Sequence, residues 1–205
     1  VVRDLGQGSV PQVEIPVPIA RRALLQVPLW IGLLGVPYWA CRTKGLGILH
    51  DLRIRFRWSD VPLGLVSGIG TQLLLIPAMY WLIFKVIGEQ DLSEEAREMT
   101  ARATSGVGIA FLLVIVGVGA PIAEEVFFRG FMDRALEKRG MSWIASTVVT
   151  AVVFGATHLQ PLQFPALALF GLVLGVMVHR TGRLGSAIVA HVAFNVTAAV
   201  VLVWG

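Results

Sequence analysis

Charge is the first thing this chain is short of. Charged residues make up 15% of its 205 residues. None falls within 23–41, 62–84, 103–123, 140–179 or 184–205. Hydrophobic residues reach 56% and the mean hydropathy is +0.75. Apolar runs this long exclude an ordinary soluble domain and point to several membrane-crossing helices. Cysteine is scarcer still. Cys41 is the single one, so no internal disulfide and no CxxC metal site exists, and its place at the end of an apolar run reads as a small buried hydrophobe. The HExxH pair that would mark a zinc peptidase is missing. Aspartate is confined to polar segments, at Asp4, Asp51, Asp60, Asp91 and Asp133. That placement excludes an intramembrane aspartyl protease. The net charge of +4 is no nucleic-acid signal, because the basic residues sit between apolar spans, where they set topology.

What is present follows a regular order. Residues 1–22 form a polar, Pro-containing lead ending in Arg21-Arg22. A first span is expected over about 23–41, with Pro28 and Pro37 inside it. Residues 42–61 are basic, and Arg53, Arg55 and Arg57 alternate with Ile54, Phe56 and Trp58. A period of two predicts an extended amphipathic strip at the bilayer interface. Asp60 is read as the cap of a second span over 62–87, with Pro62 in its first turn. Ser93-Glu94-Glu95 predicts a short surface helix within 88–104. The third span starts near 106 and runs as helix through Arg139, where Gly140 breaks it. The fourth, fifth and sixth are expected over 141–159, 165–179 and from Ser186 onward. The chain begins at Val1, so six spans is a minimum. The domain reading is a lead over 1–22, membrane spans with their loops over 23–104, and a catalytic helical core over 105–205. The fold class is all-α, a polytopic transmembrane bundle with a buried catalytic site. Loops 42–61, 124–143 and 180–185 share one face by parity. They hold most of the Lys and Arg, which makes that face cytoplasmic.

The chemistry gathers at Glu124-Glu125, which closes a charge-free run. Ionisable groups within a span are costly, so they mark function by default. Glu125 and Arg129 stand four apart in the favourable order for a helical ion pair. Glu124 points about 100° away and is left as the working group. Of four histidines, His50 and His179 read as surface groups near segment ends, while His158 and His191 lie inside spans. Glu124 stands sixteen residues before Gly140 and His158 eighteen after it. In an antiparallel hairpin those distances are roughly 24 and 27 Å of helix, so the two reach nearly one depth. The segment Asp133–Arg139 is expected in water, which sets Glu124 and His191 each about 10 Å deep. Asn195 shares the helix face of His191. A carboxylate and an imidazole can hold and deprotonate water, and an imidazole and an amide can stabilise an oxyanion. The set fits hydrolysis of an amide carbonyl.

Three segments then carry a resemblance. Glu124-Glu125-Val126-Phe127-Phe128-Arg129 fits EExxxR, Phe154-Gly155-Ala156-Thr157-His158 fits FxxxH, and His191-Val192-Ala193-Phe194-Asn195 fits HxxxN. Over about 105–200 the chain resembles the CPBP (CAAX protease and bacteriocin-processing, Abi-like) family of intramembrane proteases, related to the CAAX prenyl endopeptidase. The resemblance implies a membrane endopeptidase acting on peptides or membrane-protein segments in or near the bilayer. It implies water activation by Glu124 and His158, an oxyanion hole from His191 and Asn195, and support from Glu125, Arg129 and Phe154. The family is commonly labelled metalloprotease, and Glu124, His158 and His191 could also bind zinc. The expected partners are a peptide or membrane-protein substrate and the lipid bilayer, not nucleic acid. The expected location is the cell membrane, multi-pass, with the site nearer the cytoplasmic face. Rival readings are a rhomboid-type serine protease using Ser67, a proton-coupled transporter, and a silent scaffold or immunity protein. Ser67 lacks a GxSG setting, and no inverted repeat supports transport.

Overall fold

The computed structural model describes residues 19–88, 90 and 113–204. The lead over 1–18, the surface helix expected within 88–104 and the start of the third span lie wholly or largely outside the described residues. Seven helices are described, and no strand occurs among the described residues. They are α1 (Ile19–Lys44), α2 (Ile48–Asp51), α3 (Asp60–Ile87), α4 (113–138), α5 (Trp143–Ala156), α6 (Phe164–Thr181) and α7 (Gly185–Trp204). Two of them, α3 and α6, are long and apolar enough to cross a membrane. The apolar helices α5 and Gly185–Val201 are shorter.

Local sequence explains the boundaries. Gly140 takes φ 91° just after α4 ends, a backbone state that glycine adopts without steric cost. Ser142 then caps α5 by accepting the Ala145 N–H at 3.3 Å. Pro165 sits in the first turn of α6, where its missing N–H costs nothing. Gly182 ends α6 in the left-handed state. Two π-helical stretches, Leu113–Gly119 and Val126–Met132, flank the short α-helical piece Ala120–Glu125. Such widened turns recur at functional sites, and here they bracket Glu124 and Glu125.

The bundle is built on two close pairs, α3 with α7 and α5 with α6. The first depends on Gly64 and Gly68, a small-xxx-small pair that lets backbones approach. A Cβ at Gly68 would lie 2.2 Å from the Ala190 carbonyl oxygen. Phe128, Phe154, Phe170, Leu174, Leu184 and Ala190 form the centre of the core.

The three basic connections meet at one end. The strip over 54–57 is irregular backbone. The Arg53 and Arg55 carbonyls accept the N–H groups of Leu184 (3.0 Å) and Gly185 (3.2 Å). Arg53 reaches Glu137 at 3.5 Å, and Lys138 reaches Asp51 at 3.7 Å. Phe56 and Trp58 are exposed, as the interfacial reading requires.

Four expectations change here. Asp60 does not cap α3 through its side chain. It is fully buried and accepts two bonds from the Arg183 Nε, at 2.9 Å each, and one from the Arg57 N–H. Asp133 is fully buried as well, so α4 does not reach water there. Exposure begins at Lys138, about 21 Å of helix beyond Glu124 at 1.5 Å per residue. His179 is no surface group: its Nε2 lies 3.1 Å from Asp133 and 3.4 Å from Glu137. Arg129, counted among the topology-setting charges, is buried inside the bundle.

Candidate active site

The site starts from a buried ion pair. Arg129 Nη1 donates to Glu125 Oε1 at 2.8 Å, both side chains being essentially inaccessible. The spacing of four predicted this pair, and the widened turn that begins at Val126 preserves it. Arg129 Nη2 also donates to the Gly171 carbonyl at 3.1 Å. Glycine suits that point of α6, since a Cβ would sit tightly, 3.0 Å from Ala151 and 3.1 Å from the guanidinium. The guanidinium lies 4.6 Å from the centre of the Phe154 ring, a cation–π geometry. One arginine thus ties α4 to α5 and α6.

Glu125 Oε1 accepts a second bond, from His191 Nδ1 at 2.9 Å. The Nδ1 must carry its hydrogen to donate to a carboxylate. That choice turns Nε2 of His191 toward Glu124, whose Oε2 lies 3.7 Å away. His191 therefore stands between two carboxylates. Its ring is held edge-on by Phe154 (5.6 Å) and Phe170 (5.2 Å), and Phe170 stacks on Phe194 at 3.9 Å. Glu124 is less enclosed than Glu125, with 16% of its side chain accessible against none. The groups in electrostatic reach of Glu124 are His191, His158, Glu125 and Arg129.

His158 lies two residues past the end of α5, in the connection to α6. Its Nδ1 donates to the Phe154 carbonyl at 2.8 Å, which leaves Nε2 as a lone-pair acceptor. Phe154 is fully buried and touches His158 (4.9 Å), His191 and Phe128 (5.3 Å). It is the wall that both imidazoles lean on. Asn195 lies one turn beyond His191 on α7, half-buried. The chain thus brings Glu124, Glu125, Arg129, Phe154, His158 and His191 into one neighbourhood, with Asn195 on the adjoining turn.

A zinc site needs three or four protein ligands converging on one point. Among the described residues no group of three His, Cys, Asp or Glu side chains is placed to hold a metal ion. Both rings hold an Nδ1 hydrogen on oxygen, that of Glu125 for His191 and that of the Phe154 carbonyl for His158, and this leaves their Nε2 atoms open.

Sequence reasoning passed over Tyr80. No motif marks it, and its only signal is a polar tip within an apolar helix. Its hydroxyl donates to the Leu162 carbonyl, in the connection that carries His158.

Residues 106–197 match the family model described as "Type II CAAX prenyl endopeptidase Rce1-like". No curated protein and no solved structure matches the chain. The matched segment contains all three motifs, the buried Glu125–Arg129–His191 chain and both loops that frame it. Together with the two apolar helices it marks a membrane protein of the protease class. The match over residues 106–197, a little under half of the chain, supports a CPBP/CAAX protease family assignment.

Proposed function

We propose that the chain is an intramembrane endopeptidase of about six spans that hydrolyses a peptide bond with water activated by Glu124 and His158. The observation that carries this reading is His191 held between Glu124 and Glu125. Arg129 already balances Glu125, which leaves Glu124 facing His191 Nε2 at 3.7 Å. With a proton on that Nε2, Glu124 is a free carboxylate facing a cation, and Nε2–H of His191 is a ready donor.

The steps follow from these states. A water placed between Glu124 and Nε2 of His158 gives one hydrogen bond to each. Glu124 takes a proton as the water oxygen adds to the scissile carbonyl carbon. The carbonyl π pair moves onto oxygen, where Nε2–H of His191 and the Asn195 amide donate to the oxyanion. Glu124 then returns its proton to the departing amide nitrogen as the C–N bond breaks, leaving a carboxylic acid and an amine. No step requires a metal. Glu125, Arg129 and Phe154 keep His191 and His158 oriented.

The substrate is a membrane-associated peptide or protein segment, of which a prenylated CAAX tail is the class suggested by the family description. The end where the three basic connections meet is assigned to the cytoplasm. Comparison of peptide termini in membranes carrying the wild-type chain or Glu124→Gln tests the activity. New termini that depend on Glu124 support it; identical termini in the two membranes defeat it.

A further inference from the structure

From the placement of the Tyr80 hydroxyl we infer that α3, in the half of the chain that carries none of the three motifs, supplies a positioning residue for His158. The inference rests on the catalytic reading of His158 given above.

The connection from Thr157 to Gln163 is a run of tight turns, with the Leu159 N–H on the Ala156 carbonyl at 3.1 Å and the Gln163 N–H on the Gln160 carbonyl at 3.0 Å. Thr157 and Leu159 are exposed, and Leu159 adopts φ 56°, a left-handed state uncommon for a branched residue. At the start of α6, Gln163 makes no side-chain cap bond, although the first N–H groups of a helix need acceptors. Tyr80 adds a tie from outside. It is buried in the core and lies 5.4 Å from Phe84 on its own helix. Its hydroxyl hydrogen goes to the Leu162 carbonyl, and its oxygen faces the backbone N–H of Ala166 in the first turn of α6. One phenol thereby pins the end of the connection and caps the helix that follows.

His158 sits at the other end of that short connection. Phe154 fixes its Nδ1 and one ring face, but its Nε2 can face a water beside Glu124 only if the chain after it follows one course. Tyr80 fixes where that course ends. The N-terminal half enters the chemistry by holding a loop, without touching the reacting atoms.

The test uses the full chain in lipid nanodiscs, with Tyr80→Phe and the packing control Phe84→Leu. Selectively 13C,15N-histidine-labelled protein reports the side-chain signal of His158, assigned by its loss in His158→Gln. Tyr80→Phe should split or shift the His158 signal while leaving that of His191 in place, and Phe84→Leu should disturb neither. On a farnesylated, internally quenched CAAX peptide, Tyr80→Phe should lower kcat by roughly tenfold to a hundredfold, the scale of a small misplacement of a catalytic group. KM should stay near wild type, and Tm should fall by no more than the few degrees a lost buried hydrogen bond costs. An unchanged His158 signal overturns the inference, as does a kcat loss that merely tracks a lowered Tm. Should the wild-type chain leave that peptide uncut, the prenyl-peptide assignment is what suffers, and the His158 signal still decides the role of Tyr80.

Discussion

Two groups of buried carboxylates can be set side by side. At the basic end, Asp60 is answered by Arg183 at 2.7 Å and by the Arg57 N–H. Asp51 accepts the N–H groups of Leu46 and Gly47 at 2.7 and 3.0 Å and faces Lys138. Glu137 faces Arg53 and His179. In the middle of the bundle two glutamates share one imidazole, and a single arginine serves the pair. The first group fastens loops: Asp51 and Asp60 each face a permanent cation, while Asp133 and Glu137 share His179, with Arg53 beside Glu137. The second carries one carboxylate more than its permanent cation can balance. That excess costs stability, and groups whose protonation is set against their surroundings concentrate where chemistry is done.

Breaking the comparison at its sharpest point gives the largest effect. Glu124→Gln keeps the shape and removes the base, so cleavage should fall by about 10²–10⁴-fold, with Tm equal to or above wild type in a thermal-unfolding assay. Arg129→Leu comes next. It leaves Glu125 charged and alone in a closed site, which should cost about 3–5 kcal/mol, visible as a large drop in Tm or failure to accumulate in membranes. Removing Arg183 should cost less, because the Arg57 N–H remains on Asp60 and Arg183 is itself partly accessible. Glu125→Gln sharpens the contrast within the site. An amide cannot fix the Nδ1–H tautomer of His191 as a carboxylate does, so kcat should fall by roughly tenfold or more while KM holds.

The smallest effect concerns Asp51 and acid. Burial pushes its carboxyl up, but the Gly47 and Leu46 N–H groups, His50 and Lys138 outweigh that, and its pKa lies below the ordinary value. A group depressed on folding stabilises the fold above its ordinary range of about 3.9 and loses that contribution as pH falls through its lowered value. Asp51→Asn should therefore flatten the acid side of the Tm-versus-pH curve and leave the neutral side lower but parallel.

Much of this was written in the sequence, where local spacing carries the information. Glu125 and Arg129 four apart, Phe154 and His158 four apart, and Gly140 after the last charged turn each dictate a contact or a break within one element. The convergence of Glu124 with His191 was accessible through helix rise and loop parity. Contacts that depend on how helices lean together were not. Asp133 and His179 look like solvent-facing charges until α4 and α6 are seen to end against each other. Asp60 looks like a cap until Arg183 arrives from 123 residues away. Tyr80 has no pattern to announce it, because one hydroxyl in an apolar helix leaves no periodic trace.

The account turns on a water activated at Glu124. The direct measurement is hydrolysis of a cleaved peptide by the purified chain in H2(18)O, with mass analysis of both products. The account predicts one 18O atom in the new carboxyl terminus from the wild-type chain and no product from Glu124→Gln. Equal cleavage by the Gln variant, or a product without the label, would contradict it.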